Sequence, residues 1–251
     1  GYGNKILNGD ISRSVRFNLV NLVRNAFSEH RSWPEQWPSP EPKAHYDALI
    51  VGGGGHGLAA AYYLAAEHGL RNIAVLERRW LGGGNTGRNT TIIRSNYLCK
   101  ESFELYDFAL KLWRDLSQTL NYNVMYSPRG VLMLAHTVHD VQVFKRHIYA
   151  NRLAGIDNEW LEPAAAKAFC PPLNIGAESR YPVMGAALQR RGGVARHDAV
   201  AWGYARAAAA LGVDIIQNCE VKGFRRNANG AVCGVETTRG PIGASKVGVV
   251  A

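Results

Sequence analysis

The chain has 251 residues, 47% of them hydrophobic and 20% charged, with a formal net charge of +9. That length fits one large domain or two interleaved ones, and that apolar content excludes long disorder. The 27 glycines follow no period, which excludes a collagen-like chain, and no repeat at solenoid spacing is present.

A pI near 9.5 suits nucleic acid, a membrane surface or an anionic ligand. The basic residues are scattered as singles and pairs, such as Arg78 with Arg79 and Arg190 with Arg191, without an aromatic-interleaved module. Nucleic acid is therefore not an expected partner. Cys99, Cys170, Cys219 and Cys233 lie far apart with no CxxC spacing, so no metal site is expected. Without a secretory signal they read as reduced thiols of a cytoplasmic protein. No apolar run is long enough to predict a membrane span. Residue 1 is Gly rather than Met, and the last residues, "KVGVVA", read as the middle of a buried strand. The sequence is expected to be an incomplete reading frame whose C-terminal part is missing.

In chain order, residues 1–43 read as an N-terminal extension and linker. "SVRFNLVNLVRNAFSEH" places Val15, Leu19, Leu22, Val23 and Phe27 at roughly helical spacing. A membrane-surface or partner-docking helix and a helix packed on its own protein or a sister subunit both fit this pattern. "SWPEQWPSPEPK" is proline-rich and extended. From residue 44 the pattern turns βαβ. "YDALIVG" is a buried parallel strand, "HGLAAAYYLAAEHG" a helix stopped at Gly69, and "NIAVLER" a second strand. "ESFELYDFALKLWRDLSQTL" predicts an amphipathic helix with Leu105, Phe108, Leu112 and Leu116 on its apolar face. "RGVLMLAH" is a strand and "HDVQVFKRHIYANRLAG" a helix. Residues 158–190, with Pro163, Pro171, Pro172 and Pro182, suit loops and antiparallel strands. "HDAVAWGYARAAAALG" is a helix, and "VDIIQNCEVKGFRR", "VCGVETTRG" and "SKVGVVA" are strands. The fold class is α/β: a Rossmann-like dinucleotide-binding domain with a parallel sheet (44–115 and 192–251), interleaved with an α+β antiparallel-sheet substrate or partner domain (116–191).

"VGGGGHGLA" contains GxGxxG as Gly52, Gly54 and Gly57, directly after a strand and opening a helix, the context the motif requires. Gly52 permits the tight turn, Gly54 lets the backbone approach a pyrophosphate, and Gly57 lets helix and strand pack closely. Gly55 stands among them where the helix N-terminus offers N–H groups to phosphate. Glu77 ends the second strand twenty residues after Gly57, where an acid accepts hydrogen bonds from a ribose and disfavours a 2′-phosphate. A second cluster, "LGGGNTGRNTTIIRSNY", follows this acid. A simple NAD domain would continue into another βαβ unit here. A Gly/Asn/Thr-rich loop instead suits a longer dinucleotide, with the ADP half on the first cluster and a flavin half on the second.

These segments, with "RYPVMGAALQRRGGVARHDAVAW" and "VDIIQNCEVKGF", resemble the β subunits of heterotetrameric sarcosine oxidases, in the glycine/D-amino-acid oxidase group of flavoproteins. The resemblance covers roughly residues 33–251. It implies oxidative demethylation of sarcosine to glycine with hydrogen peroxide and formaldehyde or 5,10-methylenetetrahydrofolate. It further implies noncovalent FAD, a covalent FMN, partner α, γ and δ subunits, and NAD and tetrahydrofolate on a partner. The family's FAD residues fall on Gly52, Gly54, Gly55, Gly57 and Glu77, then Gly84, Asn85, Arg88, Asn89 and Thr90, with Val221 meeting the adenine through its backbone. His197 matches the histidine that carries FMN; a neutral imidazole adds to the 8α-carbon of a flavin in its quinone-methide form. Arg196 beside it is a candidate for stabilising negative charge there. Arg94 matches an arginine that faces the substrate carboxylate in related amine oxidases, a role a guanidinium fork suits. His56, His136 and His139 read as structural. Alternatives are a related dehydrogenase for dimethylglycine or another N-methyl amino acid, a noncatalytic FAD-binding subunit, and an NAD-dependent dehydrogenase, which the second glycine loop opposes. The chain by itself is expected to be inactive.

Overall fold

The computed structural model describes residues 19–29, 31 and 36–250. The expected helical positions before Leu19, including Val15, and the Trp33–Pro34 part of the linker lie outside them. α1 spans Leu19–Phe27 and keeps its apolar side chains exposed, Phe27 at 88%. The prolines of the following segment hold residues 38–43 without regular structure.

The chain forms two compact units, residues 1–88 with 200–251 and residues 89–199. The first is built on β1 (His45–Val51), α2 (Gly55–Ala66) and β2 (Ile73–Leu76). Its six-stranded sheet also takes in four later strands: β8 (Asp214–Ile216), β9 (Val221–Arg226), β10 (Val232–Thr237) and β11 (Gly240–Val249). The order is β8-β2-β1-β11-β10-β9. β8, β2, β1 and β11 run parallel, and β10 and β9 extend the sheet antiparallel. The parallel strands are apolar because both faces are covered: Ile73, Ala74, Val75 and Leu76 are all buried. Tyr46, Leu49, Leu76, Ile216, Val235 and Ile242 belong to one core cluster. Tyr46 donates to Asp214 at 2.9 Å, and burial, reinforced by that carboxylate, pushes its hydroxyl up to about 12. The linker's end is fixed to the same pair, because Lys43 Nζ lies 2.8 Å from Asp214.

The second unit contains β3 (Ile92–Ile93) and α3 (Lys100–Thr119), then β4 (Val131–Ala135) and α4 (Val138–Leu153). β5 (Glu159–Leu161), α5 (Pro163–Phe169), β6 (Gly185–Gln189) and β7 (Gly193–Val194) follow. β4-β6-β5 form an antiparallel sheet, and β3 pairs antiparallel with β7. α6 (His197–Ala210) leads the chain back into the first unit. There Tyr204 packs against Tyr62 and Tyr63 of α2, with ring centroids 5.8 and 6.1 Å apart.

Three sequence expectations are corrected. α3 forms, but Leu105, Phe108 and Leu112 are exposed, while Phe103, Leu110 and Leu116 are buried. Two apolar stripes share this helix, and periodicity alone does not say which meets the core. Residues 158–190 include a helix, α5, because Pro163 sits at its first turn, where its missing N–H costs nothing. "VDIIQNCEVKGFRR" is two strands rather than one. Asn218 takes φ 53° at the break, where its N–H and that of Cys219 donate to the carbonyls of Arg79 and Glu77. Among the described residues no helix is long and apolar enough to cross a membrane.

Candidate functional site

In the first unit the glycine turn links β1 to α2. Gly52 has φ 116°, a conformation that L side chains rarely adopt. A Cβ on Gly57 would lie 2.0 Å from the carbonyl oxygen of Gly52, so only hydrogen lets helix and turn meet. Gly54 is the N-cap, and no side chain of its own closes the helix end. Backbone N–H groups at such an end, with the helix dipole, suit a phosphate.

The second glycine loop lies against the first. The Gly82 N–H donates to the Gly53 carbonyl at 3.0 Å, and the Gly55 N–H donates to Thr86 Oγ1 at 2.9 Å. Gly82 has φ 71°, and a Cβ on Gly87 would meet the Gly82 oxygen at 2.6 Å, so this loop also depends on glycine. Gly84, Asn85 and Arg88 are exposed on it, the last two in a single 3-10 turn. Gly82 and Thr86 make the joining contacts. The quoted motif contained both, but nothing in it marked them above their neighbours.

Glu77 completes the arrangement. Its Oε2 accepts the Gly53 N–H and its Oε1 the Arg79 N–H, each at 2.9 Å, which fixes the carboxylate beside the turn. Each oxygen keeps a second acceptor site, as a ribose diol requires. The Glu77 carbonyl accepts the N–H of Cys219, and Val221, two residues on, opens β9. Gly52, Gly54, Gly55, Gly57 and Glu77 thus gather at the ends of β1 and β2. A cradle that a Cβ would fill, a helix N-terminus and a fixed carboxylate fit an adenine dinucleotide.

In the second unit Asn89 and Thr90 are exposed, and Asn89 Oδ1 accepts the Thr91 N–H at 2.7 Å. Thr91, at φ 63°, turns the chain into β3 and accepts the Ala195 N–H at 3.1 Å. Arg94 is half-buried. Its Nη1 donates to Asn96 Oδ1 at 3.1 Å, and its guanidinium lies 4.3 Å from the Tyr97 ring centroid. Tyr97 stacks in turn on Tyr106. Arg94 forms no ion pair with an acid among the described residues. Asn96 is buried, and its Nδ2 has no partner. A half-buried cation oriented by an amide and a ring, without an acid partner among the described residues, has the chemistry that suits a carboxylate ligand. Neither Asn96 nor Tyr97 was singled out from the sequence. His147 feels Arg94 as well: burial, then the charges of Arg146 and Arg94, hold its imidazole below the usual range.

His197 is the first residue of α6, and its Nδ1 is buried without a hydrogen-bond partner. Arg196 directs its Nε to Asp198 Oδ1 at 3.0 Å, and its side chain is exposed. His136 Nδ1 lies 3.1 Å from the Tyr181 carbonyl, a structural role, and His56 and His139 are exposed.

Residues 47–251 match the family described as FAD dependent oxidoreductase. The chain is 54% identical over 235 residues to the sarcosine oxidase subunit beta of Rhodobacter capsulatus, covering 94% of this chain and 56% of that protein. It is 58% identical over 211 residues to the subunit of that name from an Arthrobacter species, covering 84% of this chain and 52% of the other. Among solved structures, L-proline dehydrogenase from P. horikoshii superposes with a TM-score of 0.75 at 27% identity, over 83% of this chain and 53% of that one. The chain therefore spans about half the length of the relatives it matches. With its glycine turn and mostly parallel sheet, the chain belongs to the FAD dependent oxidoreductase family.

Proposed function

We propose that the chain is the FAD-binding β subunit of a heterotetrameric, cytoplasmic sarcosine oxidase. Its products are glycine and hydrogen peroxide, with formaldehyde or 5,10-methylenetetrahydrofolate. The observation that carries the substrate class is Arg94, a half-buried guanidinium oriented by Asn96 and Tyr97 and paired with no acid among the described residues. The similarity to sarcosine oxidase β subunits supports an N-methyl amino acid over other carboxylates.

When bound, FAD supplies the hydride acceptor at N5. The chain's residues bind and orient. Gly52, Gly54, Gly55 and Gly57 admit the pyrophosphate, Glu77 holds the ribose, and Val221 meets the adenine through its backbone. Gly84, Asn85, Arg88, Asn89 and Thr90 line the path of the flavin half. Arg94 binds the substrate carboxylate through two parallel hydrogen bonds, which fixes the N-methyl end. His197 is the residue that the resemblance assigns to a covalent FMN; its Nδ1 is buried, 4.0 Å from Asp198 Oδ1, so the bond would form at the other nitrogen of the partly exposed ring. The α, γ and δ subunits, with NAD and tetrahydrofolate on a partner, complete the enzyme.

The test uses the full-length protein coexpressed with its partner subunits. Sarcosine-dependent oxygen consumption, with flavin retained in the acid pellet and mapped by mass to the His197 peptide, is the expected result. Reduction by sarcosine without oxygen uptake, with all flavin released as FAD, refutes the two-flavin oxidase and indicates a dehydrogenase.

A further inference from the structure

Gln189 closes β6, a strand otherwise made of buried small and apolar residues, and is itself fully buried. A buried carboxamide is costly unless its hydrogen bonds are made. Here they are made, and they converge on the two peptides that follow Arg94. Oε1 accepts the N–H groups of Ser95 at 2.9 Å and Asn96 at 3.3 Å. Nε2 donates to Ser95 Oγ at 2.8 Å and to Asp157 Oδ1 at 3.2 Å. Asp157 is held by Arg191, whose Nε donates to Oδ1 at 2.7 Å and whose N–H donates to Oδ2 at 3.0 Å. Arg191 also reaches Asp107 on α3 at 3.0 Å, and Lys111 pairs with the same carboxylate at 2.9 Å. Two cations balance two carboxylates, so the network around the amide is neutral.

We propose that Gln189 is a positioning residue for Arg94: it fixes the Ser95 and Asn96 peptides, and through Asn96 the guanidinium that receives the substrate carboxylate. This rests on the reading of Arg94 given above. The route is continuous. Gln189 holds the Asn96 N–H, Asn96 Oδ1 accepts from Arg94 Nη1, and the next residue, Tyr97, carries the guanidinium on its ring. A leucine fills the same volume in β6 but leaves these two peptides free to rotate. Loss of Gln189 therefore misplaces the cation without removing it.

The discriminating variant is Gln189→Glu in the full-length protein with its partner subunits. Ionised, the new carboxylate faces Asp157 Oδ1, where the amide donated. Protonated, it donates to Asp157 as the amide did. Burial and the neighbouring carboxylate favour the neutral form as pH falls, while Arg191 and, one ion pair away, Lys111 oppose it. At alkaline pH, KM for sarcosine rises about tenfold over the unsubstituted enzyme with kcat little changed, the signature of lost ground-state binding. The ratio returns toward unity as pH is lowered, and the inhibition constant of acetate, a bare carboxylate, follows it. A general packing defect has no reason to recover on protonation. Ser95→Ala removes one bond of the network and raises KM about threefold, which decides the matter if the Glu variant does not fold. Arg94→Lys run alongside separates the two layers. A KM that responds to Arg94→Lys but not to Gln189→Glu or Ser95→Ala overturns the role of Gln189 alone. A KM indifferent to Arg94→Lys overturns the carboxylate reading, and the role of Gln189 with it.

Discussion

Replacing Gly57 with Ala tests whether the glycine turn is built for close approach. Alanine is the better helix former by about 1 kcal/mol, and Gly57 lies inside α2, so propensity alone predicts stabilisation. The added Cβ would sit 2.0 Å from the Gly52 oxygen, where ordinary contact begins at 3.4 Å. Its neighbour is backbone, held at φ 116°, rather than a side chain that swings away. Helix and turn must therefore separate by roughly 1.4 Å to reach ordinary contact, and overpacking of this kind costs about 1–3 kcal/mol, which outweighs the propensity gain. The same movement opens the phosphate cradle, so FAD affinity falls about tenfold or more. Gly223→Ala in β9 is the control, because its Cβ meets nothing within 4 Å. The assay is flavin-fluorescence titration of apoprotein with FAD, together with thermal unfolding with and without FAD, since bound ligand raises Tm in proportion to its affinity. A Gly57→Ala protein that binds FAD and melts like Gly223→Ala refutes the argument.

Other perturbations address the remaining elements. Arg94→Lys keeps the charge but loses the planar fork, so steady-state kinetics should show KM for sarcosine raised about tenfold or more. Thr137→Ala removes the half of the capping box at α4 in which Thr137 Oγ1 accepts the Asp140 N–H, and keeps the half in which the Asp140 carboxylate accepts the Thr137 backbone N–H; denaturant unfolding should register about 1 kcal/mol. Leu105→Glu and Phe108→Glu should change the stability of the chain by less than about 0.5 kcal/mol, whereas Leu110→Ala should cost about 2–5 kcal/mol, the reverse of the order that periodicity predicts. At Asp107 burial alone would raise the carboxyl, but Lys111 and Arg191 outweigh it and hold it below its ordinary 3.8. A depressed carboxyl contributes stability that is present above the unfolded value and lost as pH falls through the folded one. Asp107→Asn should therefore flatten the loss of stability below about pH 4 in acid unfolding.

The cradle was legible because its requirements are local. A strand, a GxGxxG turn, a helix and an acid at fixed spacing follow from backbone geometry and helix-end electrostatics within about thirty residues, and the structure places Gly52, Gly57 and Glu77 accordingly. Helices stopped by glycine were equally readable: Gly69 and Gly212, just past α2 and α6, take φ 67° and 87°. Pairings across long sequence separations were not readable. Nothing near Gln189 announces that its amide will meet Ser95, Asn96 and Asp157, because those contacts span 94, 93 and 32 residues. The core-facing stripe of α3 was likewise undecided, since Leu105, Phe108 and Leu112 have helical spacing as good as that of the residues it buries. The sequence by itself determined the βαβ core, the dinucleotide turn and the residue types of each candidate site, because propensity, periodicity and turn chemistry act over a few residues. Only the tertiary structure decided which helix face is buried, that the second glycine loop closes on the first through Gly82 and Thr86, and that Arg94 is aimed by Asn96 and Tyr97. Those outcomes depend on which distant groups packing brings within hydrogen-bond reach.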